Sequence, residues 1–335
     1  MRRIKKFTAA FMALAMLLSF AACGKGDSAV ITVQPTEEGR TVAPAEIPDP
    51  DRGENKIKIA APADASGLAF AKLSLDRSYA YTVEMNGMIS ASAAEKLKNG
   101  EVSVAVLSLE DIAKVSEQTS IKILAVNSYL KLSVVEKGET VKTLSDLKGK
   151  TVYCSGEGTS VQWVAEEIFD EYNVNAEIVY LTADELNAKV KSGEAEFCIF
   201  AEPDATRIVA ENESYTKRFD LTAGWKEDFA PVQSCIVART DYADANPELI
   251  KEFLGHIEMC LNFMPTEGGA GIVAVQLVET GYFSNAQLAL DAINACGFTY
   301  AENEEMEKIV SENYKFLSRA NAEIKVPAET VYYKY

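Results

Sequence analysis

Thr151-Val152-Tyr153-Cys154, then Ser155-Gly156-Glu157-Gly158-Thr159-Ser160, then Val161-Gln162-Trp163-Val164-Ala165-Glu166-Glu167-Ile168-Phe169-Asp170-Glu171-Tyr172 runs as strand, glycine-bearing loop and helix. The alternation continues with a strand at 176–180, a helix at 183–192 and a strand at 196–200. Strands that alternate with helices predict an α/β architecture with a mainly parallel sheet, since parallel strands need crossover connections.

A second series of the same kind lies upstream. Lys56-Ile57-Lys58-Ile59-Ala60-Ala61 predicts a strand, 62–67 a loop and 68–75 a helix. Further strands are predicted at 81–85, 102–107, 121–126 and 131–135, with helices at 90–99, closed by Gly100, and at 109–115. Beyond the second series, Ser234-Cys235-Ile236-Val237-Ala238-Arg239 predicts one more strand, and the chain reads as helical from there to about Ala320. One sheet does not easily take this many strands. The expectation is therefore two lobes, each a mainly parallel sheet flanked by helices: residues 56–137 and 233–335 form the first, 138–232 the second. Two crossings, near Lys137 and Gln233, make a two-strand hinge with a ligand cleft beside it.

The amino terminus predicts where such a domain works. Met1-Arg2-Arg3-Ile4-Lys5-Lys6 is basic, 7–20 is apolar, and Ala21-Ala22 precede Cys23. That order predicts a lipoprotein signal peptide over 1–22 that leaves Cys23 as the lipid-modified mature terminus, although Phe20 replaces the usual aliphatic residue. Residues 23–55 contain Pro35, Pro44, Pro48 and Pro50 without sustained apolar periodicity, and they predict a disordered tether. Such a tether holds a domain on the order of 30 Å from the lipid. The expected location is the extracytoplasmic face of a bacterial membrane.

Composition excludes several classes of function. The net charge is −17, deepening to −21 once the four basic residues of 1–22 are removed, which argues against nucleic acid as a partner. Cys154, Cys198, Cys235, Cys260 and Cys296 are an odd set without CxxC spacing, a poor disulfide framework and a poor metal site. His256 is the sole histidine, in a helical pattern, and no GxSxG elbow occurs. Neither metal, cofactor nor catalytic residue is predicted; the protein is expected to be a monomer and not an enzyme.

Four segments carry a resemblance. Thr143-Leu144-Ser145-Asp146-Leu147-Lys148-Gly149-Lys150-Thr151-Val152 is similar to the segment that opens the second lobe in solute-binding proteins of ABC importers of the nitrate, sulfonate and taurine group. Ser155–Ser160, Ala201-Glu202-Pro203-Asp204-Ala205-Thr206, and the run from Cys235 through Asn246-Pro247-Glu248 to Leu254 resemble its later motifs in order. The resemblance spans roughly residues 56–320. It implies a type II periplasmic-binding-protein fold and, as partners, a small solute and an ABC permease with its ATPase. The segment 71–79 departs from the group, so ligand identity does not transfer. The fold also includes yeast-type pyrimidine synthases that consume their own histidine; the cysteine-rich segment they need is not in this sequence.

Candidate ligand residues follow from position at strand ends. Ser155, Gly158, Thr159 and Ser160 precede a helix whose free amides suit an anionic or polar group, with the alternative that Thr159 or Ser160 caps its own helix. Ser66 and Gly67 play the same part at the first helix, with Asp64 beside them; Ser108 ends the third strand, and Asn127 and Ser128 end the fourth. Glu202 is placed to meet a ligand amine or to hold a hinge amide, and Trp225, with Trp163 and Phe229, to wall the pocket. Asp64 and Glu202 tilt the ligand toward an amine or ring nitrogen. The function expected is closure of two lobes on a small organic solute and its delivery to a permease. The alternatives are a ligand-sensing lipoprotein on the same fold and, further off, a pyrimidine-synthesis enzyme.

Overall fold

The computed structural model describes residues 57–75, 81–85 and 88–335. The expected signal peptide 1–22, lipidation at Cys23 and tether 23–55 lie outside the described residues. Among the described residues no helix is long and apolar enough to cross a membrane.

The first lobe opens with β1 (Ile57–Ala60), α1 (Leu68–Leu75), β2 (Tyr81–Glu84), α2 (Ser90–Lys98), β3 (Val104–Leu107), α3 (Leu109–Ser116) and β4 (Ile121–Tyr129). The second contains β5 (Leu132–Lys137), β6 (Thr151–Ser155), α4 (Ser160–Glu171), β7 (Glu177–Leu181), α5 (Ala183–Ser192), β8 (Phe197–Ala201), α6 (Asp204–Glu211) and β9 (Tyr215–Asp220). The chain then returns through β10 (Val232–Arg239) to α7 (Thr240–Ala245), α8 (Pro247–Phe263), α9 (Glu267–Glu279), α10 (Ala286–Ala295), β11 (Gly297–Glu302) and α11 (Asn303–Ala320).

Two sheets result, ordered β11-β4-β10-β3-β1-β2 and β7-β6-β8-β5-β9. The α/β architecture is the expected one, with two corrections. Because β5 pairs with β8 and β9 in the second sheet, the outward crossing lies at Leu130–Lys131 rather than near Lys137. The sheets are also mixed rather than mainly parallel. β1 pairs in parallel with β2 and β3, and β6 with β7 and β8, but β10 runs antiparallel to both β3 and β4. Topology supplies the reason: a strand entering a lobe through the hinge starts at the cleft end of the sheet, where the resident strands finish, and must run against them. β5 and β10 are those two strands.

Local chemistry explains most elements. Thr182 and Glu185 form a capping box at α5, which ends on Gly193 at φ 74°. The Thr143–Lys150 segment is another such device: Asp146 Oδ2 accepts from the amides of Lys142 and Thr143, a one-turn helix covers Leu144–Leu147, and Leu147 is buried. All four residues of β3 are buried, as in a strand covered on both faces. One apolar cluster runs through the crossing, joining Leu107, Val126 and Leu130 to Leu132, Val152 and Trp163. β9, α6 and β11 were not foreseen. The last is an edge strand beside β4 in a region expected to be wholly helical.

Candidate functional site

Both sheets direct their parallel strand ends toward the crossings, and the two crossings lie side by side. Leu130 donates its amide to Pro231 O at 2.8 Å, and Tyr129 of β4 pairs with Val232 of β10. Asn313 of α11, itself buried, pins the return: its Oδ1 accepts from the Val232 amide at 2.9 Å and its Nδ2 donates to Ala230 O at 3.1 Å. Trp225 belongs to this hinge region. Its Nε1 donates to Phe229 O at 2.6 Å and its ring meets Phe316 edge-on at 4.9 Å. It braces α11 rather than forming a free wall, and Trp163 is buried in the core.

The loop after β1 is built to stay in one shape. Asp64 Oδ1 accepts from the Ser66 amide at 2.8 Å and from Ser66 Oγ at 2.5 Å. A Cβ on Gly67 would sit 1.9 Å from Pro62 O, so no other residue fits there without moving the backbone. From beneath, Asn127 donates to Ser66 O at 2.8 Å and accepts from Ser234 Oγ at 2.9 Å, and Ser234 also pairs with Ser128 at 2.7 Å. Asn127 and Ser128 are buried and act as supports under the loop. Ser108 caps α3, accepting from the Asp111 amide, while its own amide donates to Ser90 Oγ.

On the second lobe, Glu202 is 3% exposed and its carboxylate is engaged inside the lobe. Oε1 accepts from Ser133 Oγ at 2.7 Å and Lys217 Nζ at 3.1 Å, and Oε2 from Thr206 N at 3.2 Å and Thr206 Oγ1 at 2.7 Å. It fastens β5, α6 and β9 together, so the sequence-based placement against a ligand amine gives way to a structural role. The anionic reading of 158–160 changes similarly. Thr159 caps α4, the Gly158 amide donates to Gln162 Oε1 at 2.8 Å, and the amide and hydroxyl of Ser160 both donate to Oε1 of Glu110, which comes from α3 of the other lobe. Ser155, at the end of β6, is half-buried.

Two residues the sequence did not single out, Glu110 and Asp204, stand beside two that it did. Ser160 meets Glu110, and Asp64 lies close enough to Asp204, at the start of α6, for their charges to interact. Loss of water raises the pKa of Asp64, against the hydrogen bonds from Ser66 and the Gly67 amide. Asp204 keeps solvent contact, with a 59% exposed side chain, yet protein crowds it from both lobes. Desolvation raises its pKa, Arg207 opposes this, and Asp64, Glu202 and Glu211 reinforce it. Arg207 also reaches across, its guanidinium 5.2 Å from the ring centre of Phe283. Between α6 and α10 there is a cavity of about 520 Å³ whose lining includes Thr206, Lys217, Leu288 and Asp291. Another depression, of about 540 Å³, lies between α4 and β7 within the second lobe, remote from the strand ends that face the first.

Cys154, Cys198 and His256 take no part in this geometry, whereas Cys296, its pKa raised by burial, lies close enough to Glu202, Asp64 and Asp204 for their charges to act on it. Burial pushes Cys154 and Cys198 up to about 12. His256 Nδ1 is 2.7 Å from Tyr81 Oη, which ties α8 to β2. Among the described residues no three His, Cys, Asp or Glu side chains are grouped so as to hold a metal ion.

A family model described as NMT1/THI5-like matches residues 85–267, more than half of the chain. The chain belongs to the NMT1/THI5-like family. Solved structures share the fold of this NMT1/THI5-like protein at low identity. An ABC transporter structure from Parabacteroides distasonis is 18% identical, covering 83% of this chain and 99% of its own, with a TM-score of 0.69. The sulfonate-binding protein SsuA of Escherichia coli is 14% identical over 83% of this chain and 96% of its own, at 0.65. The nitrate-binding protein NrtA of Synechocystis is 14% identical over 82% and 83%, at 0.57. No curated protein sequence matches the chain closely enough to count as a relative.

Proposed function

We propose that this NMT1/THI5-like protein is an extracytoplasmic solute-binding lipoprotein of an ABC importer. It closes two lobes on a small organic solute and presents the closed form to a permease and its ATPase. The observation that carries the reading is the pair of adjacent crossings, with residues of both lobes in contact beside them at Glu110 with Ser160 and at Arg207 with Phe283. Two bodies joined this way turn about the hinge, and a solute that touches both stabilises the closed state. The solved relatives of the same fold, among them sulfonate- and nitrate-binding proteins, support a transport receptor over an enzyme. Lipidation at Cys23 and the tether 23–55 would hold the receptor beside its permease.

The test is a thermal-shift screen of amines, pyrimidines, sulfonates and nitrate, with solution scattering on any hit. At 100 times the dissociation constant, a bound solute adds about 2.7 kcal/mol, a rise of roughly 5 to 10 °C. The radius of gyration should fall on binding, and Asp64→Ala should weaken binding by about 1 to 3 kcal/mol. A verified solute that binds without compaction would overturn the closure mechanism.

A further inference from the structure

The N-terminus of α4 is where an oxyanion would be expected to sit, because free amides and the helix dipole converge there. In this protein the amides at that end have partners within the chain. Gly158 donates to Gln162 Oε1, Val161 to Thr159 Oγ1 at 3.3 Å, and Gln162 and Trp163 to Thr159 O at 3.0 and 3.3 Å. Ser160 gives both its amide and its hydroxyl to Glu110 Oε1. Glu110 is 4% exposed, and its second oxygen, Oε2, is buried without a hydrogen-bond partner among the described residues. A carboxylate left half unsatisfied in a protein interior is costly, so a gain elsewhere has to retain it. Beside it lies a cavity of about 290 Å³ whose lining includes Glu110, Lys114, Gly158, Trp163 and Lys325.

We propose that Glu110 is a specificity-determining residue: a built-in carboxylate that fills the amide site at the head of α4 and keeps oxyanion-bearing solutes out of that end of the cleft. The solutes admitted are then neutral or cationic. The acidic character of the facing loops, with Asp64 and Asp204 on opposite lobes, fits the same class. Like charge repels an incoming sulfonate, sulfate or nitrate, and the donors it would need are already taken. The solute class rests on the receptor reading above, whereas the exclusion of oxyanions does not.

Sulfate is the probe, titrated calorimetrically into wild type, Glu110→Ala and Glu110→Gln at constant ionic strength. Removing the carboxylate frees the Ser160 amide and hydroxyl and enlarges the adjoining cavity, so Glu110→Ala should bind sulfate at least about tenfold more tightly than wild type. Glu110→Gln keeps the shape and removes the charge; it should gain about threefold or more, and it carries the test if the alanine variant does not fold. Equal sulfate affinity in wild type and the folded variants, whether tight or weak, overturns the proposal. If sulfate is gained while no solute compacts the protein, the receptor reading falls and the anion exclusion stands.

Discussion

Replacing Glu202 by alanine separates a structural carboxylate from a ligand-binding one. In the wild type its two oxygens accept four hydrogen bonds, from Ser133, Lys217 and both the amide and hydroxyl of Thr206. Ser133 and Thr206 are buried, so their hydroxyls have little water to turn to. Lys217 is 36% exposed and keeps Thr206 Oγ1 at 3.1 Å, so its charge is partly compensated. Breaking a buried charged set by removing one partner costs about 3 to 5 kcal/mol, and the exposure of Lys217 puts this case near the lower end, about 3 kcal/mol. For a domain of this size that is a fall in Tm of roughly 6 to 12 °C, read by circular dichroism or calorimetry. Glu202→Gln, which keeps an acceptor for Ser133 or Thr206, should lose about half as much. Asp64→Ala, with only local partners in its own loop, should stay within about 1 kcal/mol of wild type. A Glu202→Ala variant that melts within about 1 °C of wild type would show that this carboxylate is not structural, and all the more if it has lost a verified solute.

Three further outcomes follow from the buried groups. Burial pushes the Glu136 carboxyl up, but hydrogen bonds from Thr140 and the Val141 amide, with the charge of Arg218, outweigh it and leave its pKa lowered. Stability from this group is therefore present above the ordinary glutamate value, about 4.3, and lost as pH falls through the folded value. Glu136→Gln should cost about 2 kcal/mol at pH 7, with the gap to wild type closing as pH falls below the ordinary glutamate value; a gap that does not change with pH counts against this account. Asp64 has the opposite sign: its raised pKa means stability present below about pH 4 and lost as pH rises through the folded value. Asp64→Asn should thus melt above wild type at pH 7 and alongside it at about pH 4, and a variant that melts lower at both would show that the Ser66 contacts dominate. Finally, burial raises the thiols of Cys154, Cys198 and Cys235, so a thiol reagent at pH 8 should leave them unlabelled in the native protein and modify them on unfolding; rapid native labelling of any of the three would contradict their burial.

Much of the fold is visible in local chemistry. The helix at 183–192 was legible to the residue because Thr182, Glu185 and Gly193 form its two ends. β8 was legible as a short apolar run between turns, and β6 as a run that alternates buried Val152 and Cys154 with half-buried neighbours. β9 and β11 were missed because Tyr215-Thr216-Lys217-Arg218-Phe219-Asp220 is mostly polar and Gly297-Phe298-Thr299-Tyr300-Ala301-Glu302 lies between helices with alternation only at Phe298-Thr299-Tyr300. That short alternation was the available signal. The placement of β5 had none, since Leu132–Lys137 pairs as well with either sheet until the partners are known.

The sequence by itself determined the class of fold, the count of two lobes and the positions of most strand ends, because these depend on periodicity, caps and turns that act over a few residues. What those strand ends do follows from long-range packing. Glu110 and Ser160 are 50 residues apart and belong to different lobes, and nothing near either one indicates the other. Glu202 reads as an exposed loop acid, yet it closes on Ser133, 69 residues away, and on Lys217. A charged side chain carries no local mark of whether it will meet water, a ligand or a buried donor. That outcome depends on which donors the packed chain brings within about 3 Å, and their positions exist only once both sheets have formed.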